Sequence, residues 1–402
     1  LLAAIMVCVI ARVSLAKQTL PRVEFYHIVL VVTAAMMLLA QSNHFVMFFV
    51  ALETVTIGFY ILVSYFRTKT ASLEAGLKYL VMGALSSGML LFGIVLLYGV
   101  AGNPTLPGHS ASAMHYPALA QFLVANPHNF LAGVGIVLVL VGVAFKIGAF
   151  PFQIWVPDVY QGAPTPVTAF LAVGSKAAGF AVLLVLTRDV FASYDWLVTP
   201  ALTAMAAATI LFGNIAALTQ HNVKRLIGLS GVSHAGFLLA AIAAVVIAGT
   251  NDGPQLLSIY LIAYTIGTFL VSQALVELPV ADDHHRPLLG LRGLLRRSPI
   301  LASALGFGIG SLAGIPPSIG FFAKLLILIF LAKLHLWWVF GAALLSVAIS
   351  IHYYFAILRE AVVRPTDDQE EVVPLEVSFT SRFLIGALSA ATILGSLLAF
   401  RN

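Results

Sequence analysis

Charge is scarce in this chain. Asp, Glu, Lys and Arg make up 9% of its 402 residues, against about 25% in a typical soluble domain. A chain that is 60% hydrophobic, with a mean hydropathy of +1.01, cannot cover a water-facing surface. Cysteine is nearly missing as well. Cys8 stands alone, which excludes an internal disulfide and a cysteine-ligated iron–sulfur cluster within the chain. No His/Cys spacing reads as a metal site. The apolar/polar alternation over about 10 residues that marks a membrane β-barrel is also missing. There is no initiator Met, and Leu1 lies inside an apolar stretch, so the sequence is read as N-terminally incomplete.

Apolar runs of about 20 residues recur instead, the signature of bilayer-spanning helices. The fold class they predict is an all-α membrane protein of about twelve spans. These fall near 1–16, 25–40, 45–66, 76–101, 130–152, 163–187, 197–219, 226–248, 255–276, 299–332, 336–358 and 383–400. Turn-forming residues separate them, as in Gly102-Asn103-Pro104, Asn126-Pro127, Gly162-Ala163-Pro164 and Asn251-Asp252-Gly253-Pro254. With alternate loops on opposite sides, fourteen Lys and Arg residues share one side, among them Lys17, Lys78, Lys224, Arg286 and Arg364. Only Arg188, Lys333 and Arg401 fall on the other. Positive loops stay in the cytoplasm, so the basic side is predicted cytoplasmic and both ends of the chain outward. This distribution, rather than an anionic partner, accounts for the net charge of +5, and no nucleic-acid partner is expected.

Arg12 lies near a span end and can snorkel. What remains inside the bilayer is Lys146, Lys176, Lys324 and a single acid, Glu53. A charge at mid-bilayer costs at least about 2.5–3.5 kcal/mol, and such residues usually line an ion pathway. The chemistry suits protons, because burial lowers a lysine's pKa and raises a glutamate's, whereas arginine does not deprotonate. Fixed ion pairs that hold helices together are the alternative. Three lysines face one acid, so at least two lysines lack a fixed acidic partner. His234, His352 and Lys224 are secondary candidates. Either histidine could relay a proton or simply bond two helices. Lys224 could load protons from the cytoplasm or anchor its helix.

Two spans carry proline well inside them, at Pro151 and at Pro316-Pro317, each within about two turns of a buried lysine. Proline frees a carbonyl one turn back, which lipid tolerates only where the backbone is enclosed or lines a hydrated cavity. The spacing also suggests two related halves. Tyr79 follows Glu53 by 26 residues, as Tyr260 follows His234. Each half, about 25–187 and about 197–358, then holds five spans and one break, with a C-terminal helix at 383–400. An odd number of spans inverts the second copy, and inverted repeats with interrupted helices mark transporters.

The run FKIGAFPFQIWVPDVYQGAPTPVTAFLAVGSKAAGFAVLL at 145–184 carries a resemblance. So do NIAALTQHNVKRLIGLSGVSHAGFLLAAIA at 214–243 and RRSPILASALGFGIGSLAGIPPSIGFFAKLLIL at 296–328. From about Glu53 onward the chain resembles the subunit N (subunit 2) family of proton-pumping NADH:quinone oxidoreductase, respiratory complex I. The resemblance implies two inverted five-helix repeats within fourteen helices, about two of which would precede Leu1. It implies that Glu53, Lys146, Lys176 and Lys324 are the proton-carrying positions, coupled to quinone reduction elsewhere in the complex. It implies no cofactor in this chain, with FMN, iron–sulfur clusters and quinone in partner subunits. The partners would be other membrane subunits, including sister antiporter-like and small ones, and the location a bacterial inner membrane. The expected path has Glu53 tuning Lys146, Lys176 passing the proton laterally and Lys324 gating exit to the outer side. A multi-subunit sodium/proton antiporter is the second reading, and a passive membrane scaffold the third.

Overall fold

Backbone groups in lipid must find partners within their own segment, and an apolar chain with few charges answers by forming helices. The computed structural model describes residues 1–16, 20–250, 253–279, 282–363 and 374–399. Those residues are nearly all helical, with two isolated bridge pairs, His44–His115 and Asn222–Pro287, as the only extended pairing. Lys17, Arg364, Arg401 and the Asn251-Asp252 part of one turn lie outside the described residues.

The helices of the first part are α1 (Leu2–Ala16), α2 (Arg22–Ala40), α3 (Phe45–Val63), α4 (Thr70–Ala101), α5 (Tyr116–Ala125), α6 (Phe130–Ile147), α7 (Val156–Gly162), α8 (Thr165–Phe170) and α9 (Lys176–Val185). Then come α10 (Asp195–Leu218), α11 (Val223–Ala248), α12 (Gly253–Glu277), α13 (Leu294–Arg297), α14 (Pro299–Ala313), α15 (Ile319–Lys333), α16 (Trp337–Val362) and α17 (Phe379–Ala399). Among the described residues, ten helical stretches are long and apolar enough to cross a membrane. The two remaining expected spans coincide with shorter pieces: α1 has 15 residues, and 299–332 is divided into two helices of 15 residues each.

Outward faces are apolar, as lipid requires. Leu77, Val81 and Leu85 form an exposed stripe along α4, and Trp196, Trp337 and Trp338 are exposed near helix ends. The spans Thr165–Val190, Val223–Ala248 and Gly253–Glu277 are the most enclosed and make the centre of the bundle.

Each expected proline kink is a full interruption. Helix α6 stops at Ile147 and α14 at Ala313, because Gly148 (φ 71°) and Gly314 (φ 80°) take the left-handed conformation that ends a helix and that other residues adopt at a cost. Pro151 and Pro316-Pro317 follow within three residues and cannot resume it.

Glycine also sets the closest helix approaches. A Cβ on Gly93 of α4 would lie 2.8 Å from the Gly135 carbonyl of α6 and 2.9 Å from Leu138 Cβ. Gly267 of α12 and Gly308 of α14 meet in the same way. Gly93→Ala is therefore expected to destabilise the fold by about 1–3 kcal/mol through overpacking. The readout is the thermal midpoint of the solubilised complex, and an unchanged midpoint would refute the tight contact.

Candidate functional site

Glu53 sits in the middle of α3, and Thr56 follows three residues later on the same face. Lys146, in the last turn of α6, reaches both. Its Nζ donates to Thr56 Oγ1 at 2.6 Å and lies 3.8 Å from Glu53 Oε1. Ser87 of α4 donates to the same carboxylate oxygen at 2.5 Å. The Lys146 side chain is enclosed, 6% exposed, whereas Glu53 is 23% exposed. The acid expected to be fully buried is thus open on one side: α3 packs on α2, α4 and α8, and these leave part of the Glu53 side chain uncovered.

The second cluster lies at the centre. Lys176 follows a π-helical turn, Leu171–Ser175, that interrupts its span immediately before the lysine. Such insertions recur at functional sites. Its Nζ, 2% exposed, donates to the Gly231 carbonyl of α11 and stands 5.5 Å from the Tyr264 ring of α12. Tyr264 packs on His234 with ring centroids 4.9 Å apart. His234 Nδ1 meets the Tyr260 hydroxyl at 2.8 Å and Nε2 the Tyr354 hydroxyl at 3.3 Å. Lys324, in α15, donates to the Leu312 and Ala313 carbonyls at 2.8 and 3.0 Å, at the buried C-terminal end of broken helix α14. Neither Lys176 nor Lys324 forms an ion pair among the described residues. Among Lys146, Lys176 and Lys324, a fixed-ion-pair reading therefore applies to Lys146 alone.

The expected continuous row is in two parts. Glu53 meets Lys146, and Lys176, His234 and Lys324 share one neighbourhood, but no hydrogen bond joins Lys146 to Lys176 among the described residues. His352 does not join either group. It is exposed on α16, because the register of that helix turns Tyr353 and Tyr354 inward instead.

Lys224 is enclosed, 1% exposed, rather than sitting at an open edge. Its Nζ donates to the Ala163 carbonyl at 2.5 Å and to Asp283 Oδ2 at 3.2 Å. Asp283 also accepts from the Thr165 amide, the Thr165 hydroxyl and Arg286. Burial raises the Asp283 pKa, but Lys224, Arg286 and the Thr165 hydroxyl outweigh it and hold the carboxyl well below the usual range. Nearby, Asp158 bridges Lys78 at 2.9 Å and Arg225 at 2.6 Å. Its pKa is lowered in the same way, the two cations overcoming burial.

Sequence reasoning missed Thr56, Ser87, Tyr264, Tyr354 and Asp283. Apart from Asp283, these are hydroxyl-bearing residues inside apolar spans, where most hydroxyls merely bond back to their own helix, as Thr33 does to Val29. Only their placement beside a lysine, histidine or carboxylate sets them apart.

Comparison with known proteins gives four findings. The family described as "NADH:quinone oxidoreductase/Mrp antiporter, TM" matches residues 42–350. NADH-quinone oxidoreductase subunit N 1 of Opitutus terrae is 64% identical over 361 residues, which is 90% of this chain and 71% of that protein. Among solved structures, respiratory complex I from Thermus thermophilus with bound aureothin holds a chain similar at TM-score 0.79 and 32% identity, covering 98% of this chain and 83% of that one. The Mrp complex from a Dietzia species is similar in fold alone, at TM-score 0.80 and 19% identity over 99% of this chain and 80% of its counterpart.

Proposed function

This chain belongs to the NADH-quinone oxidoreductase subunit N family, an antiporter-like branch of complex I membrane subunits, and from that premise we propose that Glu53, Lys146, Lys176 and Lys324 carry protons across the bilayer. The chain is a multi-pass membrane subunit of a translocase complex. The observation that supports the proton-carrying role is the poverty of counter-charge. Of Lys146, Lys176 and Lys324, only Lys146 lies near a carboxylate, whereas Lys176 and Lys324 rest on carbonyls. An amine held by a carbonyl can give up its proton without stranding an acid, which a structural ion pair cannot do.

In this reading Glu53 tunes Lys146, Lys176 exchanges protons with Lys324 by way of His234, and Lys324 gates exit to the outer side. Transfer between Lys146 and Lys176 requires movement or added water, since the two clusters are not bonded. The halves at about 25–187 and 197–358 form inverted repeats, each supplying one interrupted helix, with 383–400 as an added C-terminal helix. The membrane is a bacterial inner membrane, with the basic loops and the Lys224–Asp283 network on its cytoplasmic side and both ends of this chain outside. FMN, iron–sulfur clusters and quinone belong to partner subunits, and sister antiporter-like and small membrane subunits are its neighbours. The sodium/proton antiporter alternative has fold similarity behind it but no comparable identity.

The test is Lys146→Met and Lys324→Met, singly, in the complex reconstituted in vesicles. NADH-driven proton uptake per electron is expected to fall severalfold in each while the complex remains assembled. Wild-type ratios in both variants would overturn the assignment.

A further inference from the structure

Two long stretches of the sequence are empty of charge. Between Glu24 and Glu53, and again between Lys78 and Lys146, there is no Asp, Glu, Lys or Arg. The side chains there that can gain a charge near neutral pH are His27, His44, His109, His115 and His128. Two of these meet. His44 and His115 form an isolated antiparallel bridge between the α2–α3 turn and the residue before α5. The Phe45 amide donates to the Met114 carbonyl at 2.9 Å and the Tyr116 amide to the Asn43 carbonyl at 3.0 Å, one bond on each side of the pair. That is the narrow, non-hydrogen-bonded position of an antiparallel pair, where facing side chains are closest. The imidazole centroids lie 4.5 Å apart, edge to face. Beside them the Tyr116 hydroxyl meets Ser42 Oγ at 3.2 Å.

His44 is also the cap of α3. Its Nδ1 accepts from the Val46 amide at 3.1 Å, which requires that nitrogen to be unprotonated. A second proton on the ring turns this acceptor into a donor and abolishes the cap. It also places positive charge beside the His115 ring and at the positive, N-terminal end of α3. The titratable groups that face His44 are His115 and Tyr116, and burial keeps Tyr116 a neutral phenol. Burial, and then His115, hold the His44 pKa below its ordinary value. We propose that His44 and His115 form a pH-operated latch. Neutral, they fasten the α2–α3 turn to the start of α5 and cap α3; protonated, they release the first turn of α3, the helix that carries Glu53. The latch holds above the ordinary imidazole pKa, about 6.5, and is lost as pH falls through the lower, folded-state value. It does not depend on the proton-carrying role proposed above.

Hydrogen–deuterium exchange of the intact complex, read in peptides covering residues 43–50 and 112–119, tests the latch. His44→Asn supplies a good N-cap that does not titrate. At about pH 8 wild type and His44→Asn should exchange alike. At about pH 5 wild type should exchange about fivefold to tenfold faster than His44→Asn in these peptides, the size of a lost cap. Comparison at equal pH cancels the intrinsic chemistry of exchange. In His115→Asn the loosening should begin at higher pH than in wild type, because the neighbour that opposes protonation of His44 is gone. Equal rates in wild type and His44→Asn at the acid end overturn the latch. A His115→Asn profile that follows the wild-type one overturns the pairing of the two rings.

Discussion

Replacing Lys176 with methionine is expected to stop proton movement through this chain while leaving the complex assembled. The Nζ of Lys176 is enclosed between α11 and α12 and rests on the Gly231 carbonyl, with the Tyr264 ring 5.5 Å away. Removing a partner from a buried ion pair strands a charge and costs about 3–5 kcal/mol. No carboxylate is stranded here, and the loss is that of one hydrogen bond to a carbonyl, about 1–3 kcal/mol. Methionine fills nearly the same volume, so the helix contacts survive. The rate through this chain should fall by about 10²-fold or more, the low end of what a positioned proton-transfer group contributes. Lys176→Arg should pump as poorly, because guanidinium keeps its charge but cannot release its proton. The measurement is the number of protons translocated per NADH oxidised in sealed vesicles, alongside native-gel assembly. Near-normal pumping by the arginine variant would mean that a fixed charge suffices, and the proton-carrier role of Lys176 would be abandoned.

The placement of the three lysines and Glu53 within apolar helices was legible in the sequence. An ionisable group stands out in a long apolar run, because its burial in lipid is costly. The two interruptions were legible from Pro151 and Pro316-Pro317, although the glycines before them decide where the helices end. Which face a residue occupies was not legible. Helix α16 is apolar around most of its circumference, so no stripe says that Tyr353 and Tyr354 turn inward and His352 outward. The π turn before Lys176 leaves no mark in the sequence either, since its five residues are ordinary helix formers with one glycine. The division into a Glu53–Lys146 pair and a Lys176–His234–Lys324 group depends on how α6, α9 and α11 pack, and residue spacing carries no such information.

Asp283→Ala should damage the protein more than any lysine substitution, although Asp283 lies outside the membrane-spanning helices. Its carboxylate lies 3.2 Å from Lys224 Nζ and 2.6 Å from Arg286 Nη2, and both cations are nearly fully enclosed, at 1% and 7% exposure. It also accepts from the amide and hydroxyl of Thr165 at 2.9 and 2.7 Å, at the start of the helical run that carries Lys176. One side chain therefore compensates two cations and fastens α8 to the start of α11. Alanine would leave both cations without their acid, at about 3–5 kcal/mol, and would remove the contact to α8, worth about 1 kcal/mol. The expected result is little or no assembled complex at the growth temperature. Asp283→Asn, which keeps an acceptor for Thr165 but not the charge, should fall between alanine and wild type. The pH dependence follows from the sign of the shift. A carboxyl held below its ordinary pKa, about 4, contributes stability above that value and loses it only as pH falls through the lower, folded-state pKa. The gap in thermal midpoint between wild type and Asp283→Asn should therefore persist from about pH 5 to 9, its size varying as His284, whose protonation Asp283 favours, titrates. A gap that closes within that window, or an alanine variant that assembles and melts like wild type, would show that the Lys224–Asp283–Arg286 cluster does not hold these helices together.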